Sequence, residues 1–198
     1  MEFKKLIYKC FNRPKIKIYG RNNDVKISSS AITRHLNISI YGENNTIYID
    51  DDVKIHNTRI IVGFFNAPVK DCVIKIGKET TINSMLIQVG ENGSTINIGE
   101  NCLFSFLVEL NCTDHHSIFD ENNELINRGN FIEIGDRVWV CKEVRVMKNS
   151  SVASGSILAQ RALVTKQFSE PNCIIAGNPA KVVKRNIHWD RKRPNLFI

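Results

Sequence analysis

From Ile134 onward, an apolar residue occupies every sixth position of the chain as far as Val164. An amphipathic α-helix has a period near 3.6 residues and a half-buried strand alternates strictly, so neither element accounts for this spacing. A six-residue period is typical of a β-helix, in which each hexapeptide forms one short face and about eighteen residues close a triangular coil. Mostly small or β-branched residues stand four places after each apolar one. The other members of the series are Val140, Val146, Val152 and Leu158.

The first half of the chain repeats less regularly. Segments 16–27 and 38–49 share the pattern Ile-x-Ile-Tyr-Gly-x-Asn-Asn, and asparagine and glycine cluster where corners need positive φ. We interpret the gaps between repeats as coils of about eighteen residues with extra residues at corners, and the last gap as two coils. The sequence therefore predicts stacking from about Ile16 to about Lys166, in roughly seven or eight coils. The similar segments end at isoleucines 27, 49, 76, 98 and 134.

One stretch interrupts the pattern. Residues 113–129 are polar and break the hexapeptides, so we expect them to loop out from a corner, where binding and catalytic residues are often placed. A chain of 198 residues is long enough for one all-β domain, which we assign to residues 1–198. Its predicted parts are an N-terminal segment over residues 1–15, the β-helix over 16–168 and a C-terminal tail over 169–198.

The formal net charge of +7 is concentrated at the two ends of the chain. Basic residues dominate 1–26 and 181–193, which suits an anionic ligand, a polyanionic acceptor or peripheral association with a membrane surface. Solvated surface lysines explain the N-terminal group equally well. No basic motif is interleaved with aromatic residues, so the sequence disfavours nucleic acid as a partner. The apolar residues within 2–11 are spaced as in a short helix.

The chain carries no recognisable targeting or redox signal. Its N-terminus lacks the apolar run and cleavage site of a signal peptide, and no stretch approaches the roughly 18 apolar residues of a membrane span. We therefore expect a cytoplasmic protein. The six cysteines show no CxxC spacing, which disfavours a zinc site or a redox pair and favours reduced thiols that mostly pack in the interior.

Two adjacent histidines, His115 and His116, stand at the start of the polar interruption. Imidazole titrates near neutral pH, so a histidine there is the natural general base, while a surface pair without a role is the alternative on spacing alone. Adjacent histidines point apart on an extended strand and no third one has suitable spacing, which disfavours zinc and the hexapeptide carbonic anhydrases. Cys112 could be proposed as a nucleophile, but its apolar neighbours favour a packing thiol.

No known phosphate-binding loop occurs in the sequence. Neither a P-loop nor a GxGxxG motif is present, so side chains would have to hold a nucleotide phosphate. Lysine offers a point charge and arginine a forked donor for that purpose, and a solvated basic tail is the alternative. The candidates are Lys166, Lys181, Lys184 and Arg185.

Several motifs together resemble the hexapeptide-repeat O-acetyltransferases. The run 134–146, the Leu-Val-Thr-Lys of 163–166 and the Ala-Gly-Asn-Pro-Ala-Lys of 176–181 appear in that family's order, after an Asp-x-His-Ser-Ile motif at 114–118. The family includes galactoside, maltose and nodulation-factor acetyltransferases and those of capsular and O-antigen polysaccharides. The resemblance is dense over residues 98–190 and thin before Ile76. The segment Asp-His-His-Ser-Ile-Phe-Asp, residues 114–120, is most similar to the corresponding motif in the polysaccharide and sialic-acid branch of the family.

This resemblance implies a left-handed parallel β-helix, a homotrimer, and acetyl-CoA bound in a groove between neighbouring subunits, with no metal. It implies that His116 is the base, that Trp139 walls the acceptor pocket near it, and that Asn83 lies near acceptor and thioester. It also implies a set of residues that contact CoA. They are Lys142, Gln160, Thr165, Lys166, Lys181 and Lys184.

The sequence departs from the family pattern at two places. Ala159-Gln-Arg-Ala162 stands where the family usually has Gly-Ala-Gly-Ser, and Val140-Cys141 stands where it has Ile-Gly. The bulkier Gln160 and Arg161 alter the surface along which pantetheine is expected to run.

The resemblance and the residues together predict an acetyltransferase. We expect transfer from acetyl-CoA to a sugar hydroxyl of a surface polysaccharide or its precursor, in a ternary complex with His116 as general base. One alternative is N-acetylation of an amino sugar or nucleotide sugar. Another is a non-catalytic β-helix that binds or scaffolds, although that would need neither the histidine-bearing loop nor the basic exit segment.

Overall fold

Buried isoleucines form columns that run through the computed structural model of the protein. Ile76 pairs in register with Ile98, and Ile98 with Ile134. The column then continues to Val152. No member of the six-residue series is more than 3% exposed. Burying each such side chain stabilises the fold by roughly 1.5–3 kcal/mol, so these inward columns form the core.

The pairing of Ile98 with Ile134 corrects the prediction that this gap holds two coils. The two residues lie on neighbouring parallel strands, so the whole segment between them contributes a single coil. The additional length is taken up by residues 113–130, which project from a corner and are called the excursion below. The hexapeptide count was wrong here because the excursion is about as long as one coil.

The structure describes residues 13–196, and within them every named strand pair except the last is parallel. The predicted helix at 2–11 lies outside this range. The strands are β1 (Lys15–Tyr19), β2 (Asp24–Ile27), β3 (Ile32–Glu43), β4 (Thr46–Ile49), β5 (Lys54–Val62), β6 (Val69–Lys70), β7 (Val73–Ile76), β8 (Thr81–Ile82), β9 (Met85–Val89), β10 (Thr95–Ile98), β11 (Leu103–Phe104), β12 (Val108–Cys112), β13 (Phe131–Ile134), β14 (Trp139–Val140), β15 (Arg145–Met147), β16 (Ser150–Val152), β17 (Ile157–Leu158), β18 (Leu163–Val164), β19 (Gln167–Phe168), β20 (Ile174–Gly177) and β21 (Ala180–Lys184).

These strands build the three faces of a left-handed parallel β-helix. Face A is the sheet of β2, β4, β7, β10, β13, β16 and β19, so the described residues hold seven coils. Face B contains β8, β11, β14, β17 and β20, and face C contains β9, β12, β15 and β18. The long strands β3 and β5 bend through the corner between B and C and contribute to both faces.

The corners are formed by small or turn-forming residues, as the sequence predicts. Ser150 and Ser156 are fully buried there, and the Ser156 hydroxyl accepts a hydrogen bond from Cys173 N at 3.2 Å. Gly42 has a φ of 135°, and an added Cβ would lie 1.7 Å from the carbonyl oxygen of Val69. Only glycine fits so close a backbone approach.

The coil continues beyond the predicted end at residue 168. Strand β20 adds a further strand to face B, with Ile174 and Ile175 in register with Ile157 and Leu158. Strand β21 then turns back antiparallel to β20. A 3₁₀ turn at Pro194–Leu196 ends the described chain, and no helix within residues 13–196 has the length and apolarity required to span a membrane.

Candidate active site

The excursion leaves the coil at the corner between faces C and A, after β12 and before β13. Its outer part is a short hairpin closed by a backbone hydrogen bond. Asn127 closes the neck, because its Nδ2 donates to the His116 carbonyl oxygen at 2.8 Å and to Asp114 Oδ2 at 3.0 Å. A single amide side chain therefore links the backbone of His116 to the carboxylate of Asp114, the residue that precedes the two histidines.

A second set of contacts ties the excursion to the neighbouring coils. Lys148 Nζ lies 3.1 Å from Asp114 Oδ2, and Gly129 N donates to Glu91 Oε2 at 2.5 Å. Partial burial raises the pKa of Asp114, but hydrogen bonds from Asn127 and Lys148 outweigh it and leave that pKa below its usual 3.8. Asp114 is therefore an ionised anchor of the neck.

A cavity of about 360 Å³ opens beside this neck, and both histidines line it. The ring of His115 packs against the ring of Phe64, with 5.2 Å between centroids, and its backbone has a φ of 62°. Within the described chain, the imidazole of His116 makes no ring contact or hydrogen bond and is exposed. Both side chains are exposed, and the difference between them is that the ring of His115 is engaged by Phe64.

A cysteine thiol also lies at this corner. Cys112 is fully buried, and burial raises the pKa of its thiol to about 12, so it is a packing residue. Among residues 13–196 there is no group of three or more histidine, cysteine, aspartate or glutamate side chains placed to hold a metal ion.

Trp139 lies on face B rather than beside His116. It belongs to β14, pairs in register with Leu103 and Ile157, and its ring packs against that of Trp189 with 6.0 Å between centroids. In a triangular coil, face B lies opposite the corner between C and A. One chain alone therefore does not bring the predicted wall residue to the predicted base.

The corner between faces B and C holds Asn83, Lys142 and Gln160, with Lys142 and Gln160 on adjacent coils and one further coil between Asn83 and Lys142. Asn83 Nδ2 donates to the carbonyl oxygen of Phe104 at 3.3 Å. The carboxylate of Glu143 is shared, since Arg161 Nε lies 2.5 Å from one oxygen and Lys142 Nζ 3.2 Å from the other. Hydrogen bonds from those two cations lower the pKa of Glu143. Thus Arg161, one of the departures from the family pattern, joins an ion-pair cluster with a predicted CoA contact.

The remaining predicted CoA contacts lie elsewhere on the chain. Thr165 and Lys166 are exposed on the corner between C and A, where Lys166 Nζ lies 5.3 Å from the centroid of the Phe168 ring. Lys181 and Lys184 are exposed on β21. No ion pair engages any of these three lysines within residues 13–196. The predicted site residues thus fall into two sets, one around the excursion and one around face B.

Sequence reasoning missed several residues that shape these two sets. Asn127 and Lys148 hold the neck, but in the sequence they are ordinary polar residues without a motif. Trp189 contacts Trp139 from the C-terminal tail. It could have been singled out, since the chain has two tryptophans.

Comparison with known proteins places this geometry in a family context. No protein-family model matches the chain. The polysialic acid O-acetyltransferase of Neisseria meningitidis is 35% identical over 91% of this chain and 81% of its own length. The enzyme of the same name from Escherichia coli O1:K1 is 36% identical over 70% of this chain, and the matched region covers 45% of that enzyme's own length. The crystal structure of the polysialic acid O-acetyltransferase OatWY superposes with a TM-score of 0.77 at 30% identity, covering 90% of this chain and 92% of that one.

Proposed function

The chain belongs to the hexapeptide-repeat acetyltransferase family that includes the polysialic acid O-acetyltransferases, and from this we propose that it transfers an acetyl group from acetyl-CoA to a hydroxyl of an acidic surface polysaccharide. The observation that carries the proposal is the cavity beside the excursion, lined by an exposed His116 in a chain with this ancestry. The site lies on a rigid coil, and the net charge of +7 favours capture of a polyanion. We place the reaction in the cytoplasm, where acetyl-CoA is available.

The proposed mechanism is direct transfer in a ternary complex. His116 removes the proton from a sugar hydroxyl while the oxygen attacks the thioester carbonyl carbon. Backbone N–H groups or the Asn83 amide stabilise the tetrahedral oxyanion. Collapse of that intermediate breaks the carbon–sulfur bond, and the imidazolium returns its proton to the departing thiolate. The products are an acetyl ester and CoA, so no other reactant is needed.

CoA carries phosphates, and the chain offers lysines that fit them. Lys166, Lys181 and Lys184 are exposed, and no carboxylate in the described chain forms an ion pair with them. Lys142 already forms an ion pair with Glu143, so the charge of its ammonium group is partly neutralised before any ligand binds. We therefore assign the first three lysines to the phosphates and place Lys142, Gln160 and Thr165 along the rest of the donor.

The separation of Trp139 from His116 supports a site shared between protomers. If face B of one protomer packs beside the excursion of the next, the two sets of residues meet in one groove. Large apolar side chains are exposed at the edge of face B and on the excursion, including Leu107 at 62% on the corner between faces B and C and Phe119 at 57% on the excursion. Such side chains favour burial in an interface. Repeating this head-to-tail contact around a three-fold axis gives a closed homotrimer.

The experiment that tests the function supplies acetyl-CoA with polysialic acid, and in parallel with neutral dextran and glucosamine. We expect CoA release with polysialic acid and a product whose acetyl group is removed by mild base, as for an ester. Faster turnover of glucosamine, with a base-stable amide product, would replace O-acetylation by N-acetylation. No turnover with any acceptor, while polysialic acid still binds, would favour the non-catalytic scaffold.

A further inference from the structure

The C-terminal tail runs back along the coil. Ile187 N donates to the carbonyl oxygen of Asn172 at 3.0 Å, near the C-terminal end of the helix. Arg191, four residues later, donates to the carbonyl oxygens of Glu79 and Asn101 at 3.2 Å each. Residues 187–191 therefore cross several coils at the corner between faces A and B, and we call them the strap.

The strap is fastened at its middle by Trp189, which is 8% exposed. Its indole Nε1 donates to the carbonyl oxygen of Arg137 at 2.7 Å, and the Arg137 guanidinium donates back to the Trp189 carbonyl oxygen at 3.3 Å. Arg137 precedes Trp139 by two residues. The reciprocal bonds thus fix the strap to the short segment that leads into β14.

The far end of the strap is fastened by Arg191. Besides the two carbonyl oxygens already named, its guanidinium reaches the Cys102 carbonyl oxygen at 3.0 Å and Thr81 Oγ1 at 3.1 Å. A planar fork with several donors suits such a cluster of acceptors. Hydrogen bonds to the coil therefore hold the strap at Ile187 and at Arg191, and these contacts fix the position of Trp189 between them.

Trp189 rests on Trp139, so the chain's two tryptophans form a tilted pair with 45° between ring planes. Trp139 stands outward on a two-residue strand, and its coil neighbours at the same position are Leu103 and Ile157. Those aliphatic residues flank Trp139 along the coil axis. Trp189 adds a tilted aromatic contact from the strap, and such a contact restricts the rotation of the Trp139 ring.

We propose that Trp189 is a positioning residue for the acceptor: it holds the Trp139 ring as a fixed wall of the sugar site, and the strap is the device that holds Trp189. This inference rests on the proposed function, in which Trp139 faces the acceptor. Lys181 and Lys184, which precede the strap, are assigned to acetyl-CoA. The C-terminal tail therefore has two roles, donor binding by these lysines and acceptor positioning by the strap. Loss of the strap should weaken acceptor binding and leave donor binding unchanged.

The kinetic test compares Trp189→Ala with Trp189→Phe, using polysialic acid and acetyl-CoA as the varied substrates in turn. We expect Trp189→Ala to raise the polysialic acid KM by roughly three- to tenfold, with the acetyl-CoA KM unchanged. Trp189→Phe should recover most of the loss, because it keeps the ring contact and gives up only the bond to Arg137. His188→Ala is the matched control, since His188 is exposed on the same strap and should behave as wild type.

Other kinetic results would overturn the inference. One is a Trp189→Ala enzyme whose KM values for both substrates equal those of His188→Ala. The other is a Trp189→Ala enzyme in which both KM values rise together and Trp189→Phe restores neither, as expected if Trp189 has only a structural role. If Trp189→Ala does not fold, Trp189→Leu replaces it, and an unchanged polysialic acid KM there overturns the proposal.

A fluorescence measurement separates this inference from the proposed function. In Trp189→Phe, Trp139 is the one remaining tryptophan. We expect its emission to shift as polysialic acid saturates the protein, and an unchanged emission would contradict an acceptor-facing Trp139. Failure of the proposed function would show instead as wild-type protein that forms no acetyl ester, whatever the fluorescence response.

Discussion

Lys148 Nζ lies 3.1 Å from Asp114 Oδ2, and this ion pair joins the neck of the excursion to the coil that follows it. The Lys148 side chain is 17% exposed and that of Asp114 is 33% exposed, so solvent screens the pair and its contribution is about 1 kcal/mol or less. We expect Lys148→Gln to loosen the excursion without unfolding the coil. Hydrogen exchange of residues 113–130 should quicken, while exchange of the core strands stays unchanged. Equal exchange in variant and wild type would show that the ion pair does not hold the neck.

The same contact predicts an acid dependence. Because the pKa of Asp114 is lowered in the folded protein, its stabilising contribution is fully present above the usual carboxyl value and is lost as pH falls through the lowered one. Exchange at the excursion should therefore be steady at neutral pH and should quicken, beyond the intrinsic pH effect, only in acid below the usual 3.8. Asp114→Asn should lack this step, and an unaltered step in that variant would assign it to another group.

His116 and His115 should differ sharply on substitution. We expect His116→Ala to lower kcat by roughly 10²–10⁴, the range for loss of a general base, with the coil intact by circular dichroism. His115→Phe is the matched control, because it keeps a ring against Phe64 and should cost far less. An active His116→Ala alongside an inactive His115→Phe would reverse the assignment.

The lysines assigned to CoA should affect the donor selectively. We expect Lys166→Ala with Lys184→Ala to raise the acetyl-CoA KM and change the acceptor KM less, since charged hydrogen bonds to phosphate contribute about 1.5–3 kcal/mol each at most. The effect should shrink as salt rises. Lys75→Ala, an exposed lysine on face A, is the control. Unchanged saturation by acetyl-CoA in the double variant would remove these lysines from the phosphate site.

Cys112 should be dispensable for chemistry. With its thiol pKa raised to about 12 by burial, almost no thiolate exists at neutral pH. We therefore expect Cys112→Ala to keep near wild-type kcat and to lose some thermal stability through the small cavity it leaves. Folded protein should also resist alkylation at this residue, as peptide mass spectrometry after iodoacetamide can show. Inactivation that tracks modification of Cys112 would revive a covalent mechanism.

Much of the fold could be predicted because the hexapeptide period is a local property of the chain. The six-residue spacing places Val140, Val146 and Leu158 on the inside of the coil, and all three are buried. The same spacing applies to every coil in the stack. The prediction was wrong at the gap from Ile98 to Ile134, where a loop of one coil's length imitates two coils. Spacing alone cannot distinguish a loop from a coil of equal length.

The site was harder to predict because it depends on which corner each residue occupies. His116 and Lys166 lie on one corner of the prism, Asn83 and Lys142 on another, and motif order along the chain does not reveal this division. The contact between Trp139 and Trp189 joins residues far apart in sequence through an irregular tail. No period specifies such a tail, so its path is set by side-chain hydrogen bonds that a sequence pattern does not show.

The most direct test of a site shared between protomers mixes two weakened variants. His116→Ala protomers keep Trp139, and Trp139→Ala protomers keep His116. The two are co-expressed with different tags, and the trimers that carry both tags are purified. Each such trimer has two protomers of one kind and one of the other, so about one groove in three joins an intact histidine to an intact tryptophan. The shared site predicts that these mixed trimers recover about a third of the wild-type turnover with polysialic acid and acetyl-CoA. Mixed trimers no more active than the average of the two separate variants would show that each chain must supply both residues itself.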